Sequence, residues 1–403
     1  MSKKPLLAAI LAALLASALA FAGRAHAGGL AVPETAASTG GVAGAATART
    51  DDPAAAWYDP AALVDGGGWR IGVGLMLPMA SLQATAADGS WTSKTGGSPT
   101  PVPQVFLTRS AGSFAAGLAV TVPYGGDVAW PTDWPGRHEI VSTKLVDVRV
   151  APFIGWRSGQ VRIAGGVHVD LAQLDLARRL DFIDTEGDVA LRLHGVGVGA
   201  DLAAYLDVGH GAALGVSYKS RTSIDLSGDA DFTGPDAFSM KAPDQHATSS
   251  LALPDRIAVG GTIVHGELRG FADLEVTTWS VNKTQVIDFA QDQTPDVVQV
   301  NDWHTTIGAK LGGEWHRGRA TARAGIGWDP SPAGTDHLAP TTPDGNRVAV
   351  TLGGGWQLSK TVAADAFYGY LHIGERASAN PDSMMASYGG HAHLLGLGLR
   401  VTR

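Results

Sequence analysis

Charged side chains that could bind an ion or an acidic substrate occur at every second position of otherwise apolar segments. Asp147 and Arg149, for example, alternate with Val146 and Val148. Successive side chains of a strand point to opposite faces, so these charges would share one face. The cations in this phase are Arg149, Arg157, Arg162, Lys219, Lys310 and Arg323. Each could bind a substrate carboxylate, but pairing with a carboxylate of the chain is the favoured interpretation, because a buried unpaired cation is unstable. Carboxylates in the same phase are Asp147, Asp170, Asp273, Glu275 and Glu314.

Other patterns that could indicate a cofactor site or a catalytic site are incomplete. The sequence GVGVG at 195–199 resembles a nucleotide-binding loop but lies inside a strand pattern with no helix after it. His391 and His393 share one face, without a third ligand nearby in the sequence, so we expect no metal site. There is no G-x-S-x-G motif and no cysteine. We therefore expect neither an enzyme nor a cofactor.

The elements that must position these charges are strands, because apolar residues recur with a period of two from Trp69 onwards. Leu395, Leu397, Leu399 and Val401 share one face of the last segment, and small or polar residues occupy the other. Fourteen such segments are predicted, an even number as in bacterial outer-membrane barrels. The first begins at Trp69, and the others are 101–110, 113–122, 145–157, 160–172, 191–207, 211–228, 252–265, 268–282, 303–316, 319–329, 346–358, 361–374 and 391–403.

The chemistry of the two faces favours a membrane over water. Arg and Lys avoid the apolar phase, where one near the bilayer midplane would cost about 2–4 kcal/mol. Aromatic residues of that phase fall near strand ends, as in an aromatic girdle. We therefore predict an all-β membrane protein, a 14-stranded antiparallel transmembrane β-barrel. A soluble β-sandwich would also alternate and is the competing interpretation. The aromatic residues are Trp69, Trp156, Trp315, Trp328, Trp356 and Tyr370.

Long and short connections alternate along the chain, as outer loops and periplasmic turns do in such barrels. Short turns are expected at 157–160, 265–267 and 316–319. This asymmetry predicts a multi-pass protein of the Gram-negative outer membrane. The predicted long loops are 83–100, 123–144, 173–190, 229–251, 283–302, 330–345 and 375–390.

The first 66 residues do not alternate and divide into two segments. Residues 1–27 have a basic start, an apolar run and an A-x-A site, which is typical of a secretion signal. Residues 28–66 are predicted to form an N-terminal hatch, or plug, of short helices and loops, and 67–403 the barrel. Without Lys3, Lys4 and Arg24 the formal charge falls from −8 to −11, so no nucleic-acid partner is expected. No later run reaches the roughly 20 apolar residues of a membrane helix.

Four stretches together resemble the FadL/TodX family of outer-membrane transport proteins for long-chain fatty acids and hydrocarbons. The hatch stretch ARTDDPAAAWYDPAAL resembles the family's hatch, whose N-P-A motif is here Asp59, Pro60 and Ala61. Strand stretches LGVSYKSRTSIDLSGDADF and LPDRIAVG with ADLEVTTWS match in order and spacing. So does AGIGWDPSP, followed by PDGNR and AFYGYLHI. The resemblance covers nearly all of the predicted mature chain, with Asp59 as a departure in the hatch.

The resemblance implies a fourteen-stranded barrel, closed by a hatch, that takes up hydrophobic molecules by passive diffusion. Outer loops would capture the substrate, residues 28–34 would face a pocket, and a lateral opening near 113–122 would release it. The candidate binding residues are Leu30, Val32, Phe106, Trp130, Trp134, Phe153 and Arg323.

Several alternatives stay open at this stage. Trp130 and Trp134 could form a capture patch or pack within their loop, and Phe106 and Phe153 could line a track or pack on the hatch. A polar-solute porin or an adhesin-like barrel is the alternative function. The expected partners are a hydrophobic ligand, outer-membrane lipid and lipopolysaccharide, and the barrel-assembly machinery, with the chain acting as a monomer. Whether the substrate is an acid or a hydrocarbon is undecided.

Overall fold

A computed structural model of the chain describes residues 29–32, 36–65, 67–96, 99–182, 184–235 and 243–403. The predicted secretion signal, residues 1–27, lies outside the described residues. Two short α-helices, α1 (Ala37–Gly40) and α2 (Ala55–Tyr58), and a 3-10 turn at Pro60–Leu63 precede the strands. Further 3-10 turns lie at Trp279–Val281 and Thr335–His337. No helix in the described part of the chain is both long and apolar enough to cross a membrane.

The described residues form nineteen strands in one antiparallel sheet. They are β1 (Gly67–Ala86), β2 (Thr92–Lys94), β3 (Val102–Ala111), β4 (Phe114–Ala129), β5 (Ser142–Ser158), β6 (Val161–Asp181), β7 (Glu186–Gly209), β8 (Ala212–Lys219), β9 (Thr222–Thr233), β10 (Gln245–Leu253), β11 (Arg256–His265), β12 (Leu268–Thr277), β13 (Thr284–Phe289), β14 (Val297–Val300), β15 (Thr306–Arg317), β16 (Ala320–Asp329), β17 (Arg347–Gln357), β18 (Val362–Ala377) and β19 (Ala386–Thr402).

The sheet closes on itself, because the first strand pairs with the last. β1 and β19 are in register from Arg70 opposite Thr402 to Ala86 opposite Ala386. Four strands of the wall are interrupted, so that each consists of two of the nineteen strands. These pairs are β8 and β9, β10 and β11, β12 and β13, and β14 and β15. β2 belongs to an outer loop. The described strands therefore make a closed barrel of fourteen wall strands, which confirms the predicted fold.

The two faces of the wall separate as predicted. Leu397 and Val350 point away from the lumen, with 65% and 51% of their surface exposed. Asp147, Arg149 and Asp170 point inwards and are buried. The outside of the barrel is thus mostly apolar, and these three charges lie in the lumen, where water or partners can compensate them.

Two of the predicted loops, 173–190 and 283–302, consist in large part of strands. Residues 173–190 were expected to be an outer loop, but β6 and β7 stay paired from Val161 opposite Leu206 to Asp181 opposite Glu186. The segment loses its clear alternation because strands that project beyond the bilayer have no lipid-facing side. Backbone pairing does not need alternation, so the strands continue. The predicted loop 283–302 likewise contains β13 and β14.

Residues 36–65 lie inside the barrel and are almost entirely buried. The Asp273 carboxylate of β12 accepts hydrogen bonds from the main-chain N–H groups of Ala46 and Thr47 at 2.9 Å. Arg49 pairs with Glu314 of β15 at 2.8 Å. Because these charges are shielded from water, the contacts hold this segment, the hatch, against two wall strands.

Candidate functional site

An apolar cavity of about 460 Å³ lies in the outer half of the lumen. On one side it is bounded by the described residues of the N-terminal segment, 29–32, which we call the strap. Its volume falls within the range typical of ligand pockets. Apolar lining residues from five parts of the chain are Leu30, Val32, Met76, Val102, Leu145 and Leu191.

The strap is hydrogen-bonded along both of its edges. On one edge, Val32 N donates to Pro123 O and Gly125 N donates to Leu30 O, both at 2.9 Å. On the other edge, the Arg347 guanidinium of β17 donates to Gly29 O at 2.5 Å. The strap therefore bridges β4 and β17, and it forms one wall of the cavity.

A kink in β4 creates the edge that the strap occupies. The β4–β5 register shifts between Thr121 and Tyr124, with two residues of β4 opposite one of β5. Such a bulge bends the strand. The β4 carbonyl and amide groups at the bend point inwards and are satisfied by the strap rather than by β3.

The kink leaves a gap in the barrel wall. Pairing of β3 with β4 ends at Val105 opposite Val120, and Gly96 N rejoins β4 at Ala129 O. Between these points, no described strand pairs with the edge of β4 that faces β3. The opening is expected near 113–122, and the gap begins within this range, at Thr121. Residues 114–120 are paired with β3, because the bulge comes after them.

The cavity extends through this gap. Leu145 and Val146 are neighbours on β5 and so lie on opposite faces of the wall, yet both line the cavity. Val148, on the same face as Val146, does so as well. A continuous apolar space therefore connects the lumen with the outside of the barrel beside β4.

One cation that the sequence analysis missed lines the cavity. Arg178 of β6 is partly buried, and its side chain has no ion pair or hydrogen bond with any described residue. Glu139, which also lines the cavity, accepts hydrogen bonds from Ser383 Oγ and Met384 N and is thus engaged. Arg178 was missed because it falls in the segment 173–190 that was predicted to be a loop; a longer strand pattern would have placed it in the lumen.

Of the predicted binding residues, Leu30 and Val32 lie at the cavity and the others do not. Phe106 and Phe153 are buried in one hydrophobic cluster with alanines of the hatch and wall and with Trp57. Phe106 and Phe153 therefore do not line a substrate track. They pack against the hatch, which was the alternative interpretation.

The structure also corrects the placement of Trp130 and Trp134. Their rings stack on each other with centroids 4.7 Å apart, and both are buried. Their indole N–H groups donate to the main-chain oxygens of Pro340 and Ile140, respectively. Because both the faces and the polar atoms are occupied, this arrangement is the packing alternative rather than an exposed capture patch.

Arg323 is likewise occupied. Its guanidinium donates to Glu314 at 2.6 Å and to Asp365 at 2.7 Å, and Glu314 also binds Arg49 of the hatch. This buried network explains the cation without a substrate, and it lies beside the hatch, away from the cavity.

Two of the other predicted cations are ion-paired, Arg149 with Asp170 at 2.6 Å and Lys310 with Glu275 at 3.4 Å. Arg162 donates to Ala62 O instead, and Lys219 lies over the Trp57 ring. The side chains of Lys219 and Arg157 have no ion pair or hydrogen bond with a described residue.

The hatch motif forms a local cap. Asp59 precedes the 3-10 turn, and its Oδ1 accepts a hydrogen bond from Ala61 N at 3.0 Å. Asp59 is fully buried, and its Oδ2 has no hydrogen-bond partner among the described residues. Burial raises the pKa of Asp59 well above its ordinary value, although the main-chain donors and Lys219 oppose this shift. A protonated Asp59 offers the same acceptor to Ala61 as an asparagine would.

These features define a class: a closed β-barrel of the outer-membrane type, with a filled lumen and an apolar cavity that reaches a gap in its wall. The chain belongs to the family of outer membrane transport proteins (OMPP1/FadL/TodX), whose family model matches residues 18–402. It is accordingly a protein of the Gram-negative outer membrane.

Solved structures share this fold. A FadL homologue of Pseudomonas aeruginosa superposes with a TM-score of 0.83 at 18% identity, covering 93% of this chain and 99% of that one. The toluene transporter TodX of Pseudomonas putida gives 0.74 at 15% identity, covering 94% and 99%. The toluene transporter TbuX of Ralstonia pickettii gives 0.72 at 16% identity, covering 92% and 99%.

A curated relative is a putative outer membrane protein of Neisseria meningitidis serogroup B. It is 27% identical over an alignment of 246 positions, and the match covers 53% of this chain and 53% of that protein. The chain thus aligns with about half the length of this relative. At identities of 15% to 18%, the solved structures show only that the fold is shared. Membership of the family rests on the match to the family model.

Proposed function

We propose that this protein is a passive channel for the uptake of hydrophobic compounds across the outer membrane. A compound enters from the outer loops, occupies the cavity beside the strap, and leaves sideways through the gap at β4. The observation that supports this route is the lining of one cavity by both Leu145 and Val146. A route through the wall lets an apolar molecule pass from the lumen to the bilayer without crossing the hatch.

The driving force for entry is burial of apolar surface. Each Å² of apolar surface removed from water contributes about 25 cal/mol, so an apolar cavity competes with the polar lipopolysaccharide zone for the molecule. Release into the bilayer keeps that surface out of water. No energy input is required, because the compound moves down its own concentration gradient.

The unpaired Arg178 favours an acidic amphiphile, such as a long-chain fatty acid, over a neutral hydrocarbon. A cation in apolar surroundings is unstable unless a partner compensates it, and no described residue does so. A carboxylate could supply charge-assisted hydrogen bonds to the guanidinium while its chain fills the apolar part of the cavity. A hydrocarbon would supply no such contact, and Arg178 would keep no partner within the described part of the chain.

The alternative of a polar-solute porin requires an open, water-filled lumen. Here the hatch residues Thr39, Val42 and Leu63 are buried against the wall. This filling supports the channel for hydrophobic compounds rather than the porin. We further propose that the barrel works as a monomer, since one chain supplies the strap, cavity and gap.

Removal of the bulge tests the lateral route. Deleting Pro123 takes out one of the two β4 residues that face one residue of β5, so β4 should straighten and seal the gap. The matched control, Pro123→Ala, keeps the number of residues and therefore the bulge. In proteoliposomes, we expect the deletion to abolish uptake of palmitate and of hexadecane, and Pro123→Ala to preserve it.

Each protein must first show the heat-dependent gel mobility of a folded barrel. A folded deletion variant that transports at the wild-type rate would refute lateral release. A wild-type protein that conducts small polar solutes like an open porin would refute the channel for hydrophobic compounds.

A further inference from the structure

A second concave site lies on the outside of the barrel and shares no lining residue with the cavity beside the strap. It is a groove of about 1100 Å³ on the outer face of β3 to β8, with an almost wholly apolar lining. Its floor is bare backbone at Gly165 and Gly166, where neighbouring strands carry bulky side chains. Phe114 and Ile154 stand up from this floor, with 64% and 72% of their surface exposed. The outer face is therefore indented here rather than smoothly convex.

The groove crosses six strands beside one row of register partners. The row is Arg109, Ala116, Ile154, Gly165, Leu202 and Tyr218. Five strand spacings of about 4.8 Å make it about 24 Å long.

The row climbs from the membrane surface into the bilayer. Arg109 lies two residues before the end of β3 at the short turn, whereas Leu202 lies seven residues before the end of β7. With strands tilted by roughly 45°, the row rises by roughly 17 Å, close to half of the hydrocarbon thickness of about 30 Å. The groove thus has the length and inclination of one acyl chain in the periplasmic leaflet.

The lower end of the row carries an exposed cation, Arg109. The guanidinium of Arg109 lies on the lipid-facing side, over the ring of Trp69 at 5.4 Å from its centroid. Its side chain makes no ion pair or hydrogen bond with any described residue. Trp69 belongs to the aromatic girdle, which lies at the level of the lipid headgroups. Arg109 is therefore positioned to contact a headgroup phosphate.

We propose that this groove is a binding site for one phospholipid of the periplasmic leaflet, whose phosphate binds Arg109 and whose acyl chain lies beside Ile154 and Leu202 and extends towards Tyr218. An apolar groove inside a bilayer is filled by acyl chains in any case. The cation at its foot is what selects a chain with an anionic headgroup. The lipid would also cover β4 directly below the gap, next to the proposed exit.

The barrel supplies a matched control for the cation. Arg317 also lies at a short turn and over a girdle tryptophan, Trp315, at 5.8 Å, but it does not border the groove. Arg109→Gln and Arg317→Gln therefore remove equivalent charges with and without a groove. Ala116→Phe fills the groove and keeps both charges; Ala116 is exposed, so the larger side chain points into lipid.

The experiment is native mass spectrometry of the full-length mature protein in detergent, titrated with dipalmitoyl phosphatidylglycerol. We expect the wild type and Arg317→Gln to bind one lipid with equal affinity, and Arg109→Gln to bind about fivefold more weakly. Ala116→Phe should also weaken binding. Folding of every variant is checked by heat-dependent gel mobility.

Equal affinities for Arg109→Gln and Arg317→Gln would overturn the proposal. The position of Arg109 at the groove would then have no effect on lipid binding. A parallel titration with palmitate separates the two sources of acyl chain. If Arg109 affects palmitate alone, the groove serves released cargo and the phospholipid site is refuted. This result does not depend on the lateral channel, since no transport is measured.

Discussion

Arg347 donates a hydrogen bond from Nη2 to the main-chain oxygen of Gly29, although 318 residues separate the two in the sequence. A second bond from Nη1 reaches Ala31 O at 3.3 Å, and Asp344 pairs with the same guanidinium. Since the other edge of the strap binds the kink of β4, the strap joins the kink to the opposite wall.

We predict that Arg347→Gln loosens the strap. Hydrogen bonds from a charged donor contribute about 1.5–3 kcal/mol, so hydrogen–deuterium exchange of the peptide containing residues 29–32 should rise at least about tenfold. Arg376→Gln is the control, because Arg376 donates to Ala333 O and does not contact the strap. Unchanged exchange in Arg347→Gln would show that the bonds to β4 alone hold the strap.

Arg178→Gln should weaken the binding of acids and leave the binding of hydrocarbons unchanged. We expect its affinity for palmitate to fall about tenfold, since one charge-assisted contact is lost, and its affinity for hexadecane to stay the same. The control is Arg179→Gln, because the neighbouring Arg179 pairs with Asp188 at 3.2 Å and does not line the cavity. Fluorescent-ligand displacement measures both affinities. An equal loss for both ligands would contradict an acid-binding role.

Asp59→Asn should be tolerated and should change the pH dependence of stability. Because the folded-state pKa of Asp59 is raised, the folded protein keeps a proton that the unfolded chain has lost above about pH 4. The free energy of unfolding should therefore fall as pH rises from about 4 through the raised pKa of Asp59. Asp59→Asn lacks this contribution, so its advantage over the wild type should grow with pH.

Urea unfolding of the detergent-solubilised barrel at pH 4, 6 and 8 measures this difference. Asp59→Ala removes the cap at Ala61 and should cost about 1 kcal/mol at every pH. Parallel pH profiles of wild type and Asp59→Asn, or loss of uptake in Asp59→Asn at normal surface abundance, would show a specific role for the ionised carboxylate.

Deletion of residues 28–66 should leave a folded but leaky barrel. The wall closes through β1 and β19 without the hatch, and Glu314 keeps Arg323 as a partner after Arg49 is lost. We expect large, non-selective currents in planar bilayers from the deletion variant and small currents from the full chain. Porin-sized currents from the full chain would contradict the role of the hatch as a plug.

The fold could be predicted from the sequence because a barrel wall is a local pattern. Whether Leu397 faces lipid and Arg149 the lumen follows from the parity of a single strand, and lipid penalises each charge on the wrong face separately. The strands beyond the bilayer lose that penalty, which is why β6 and β7 extend through a segment predicted to be a loop.

The site depended on contacts that no local pattern contains. The bulge at Thr121–Tyr124 is a register shift between two strands, and it is visible only once β4 and β5 are paired. Alternation places Trp130 and Arg323 in a loop and in the lumen, but it cannot say which neighbours cover them.

By itself, then, the sequence determined the class of fold, the faces of the wall and the presence of a non-alternating segment ahead of it. Tertiary structure alone decided that Gly29 would meet Arg347, that Arg323 would be neutralised by Glu314, and that Arg178 would have no ion pair with a described residue. The physical reason is that backbone geometry sets the alternation of side chains within a single strand. A cavity instead forms where elements distant in the sequence do not pack completely against each other.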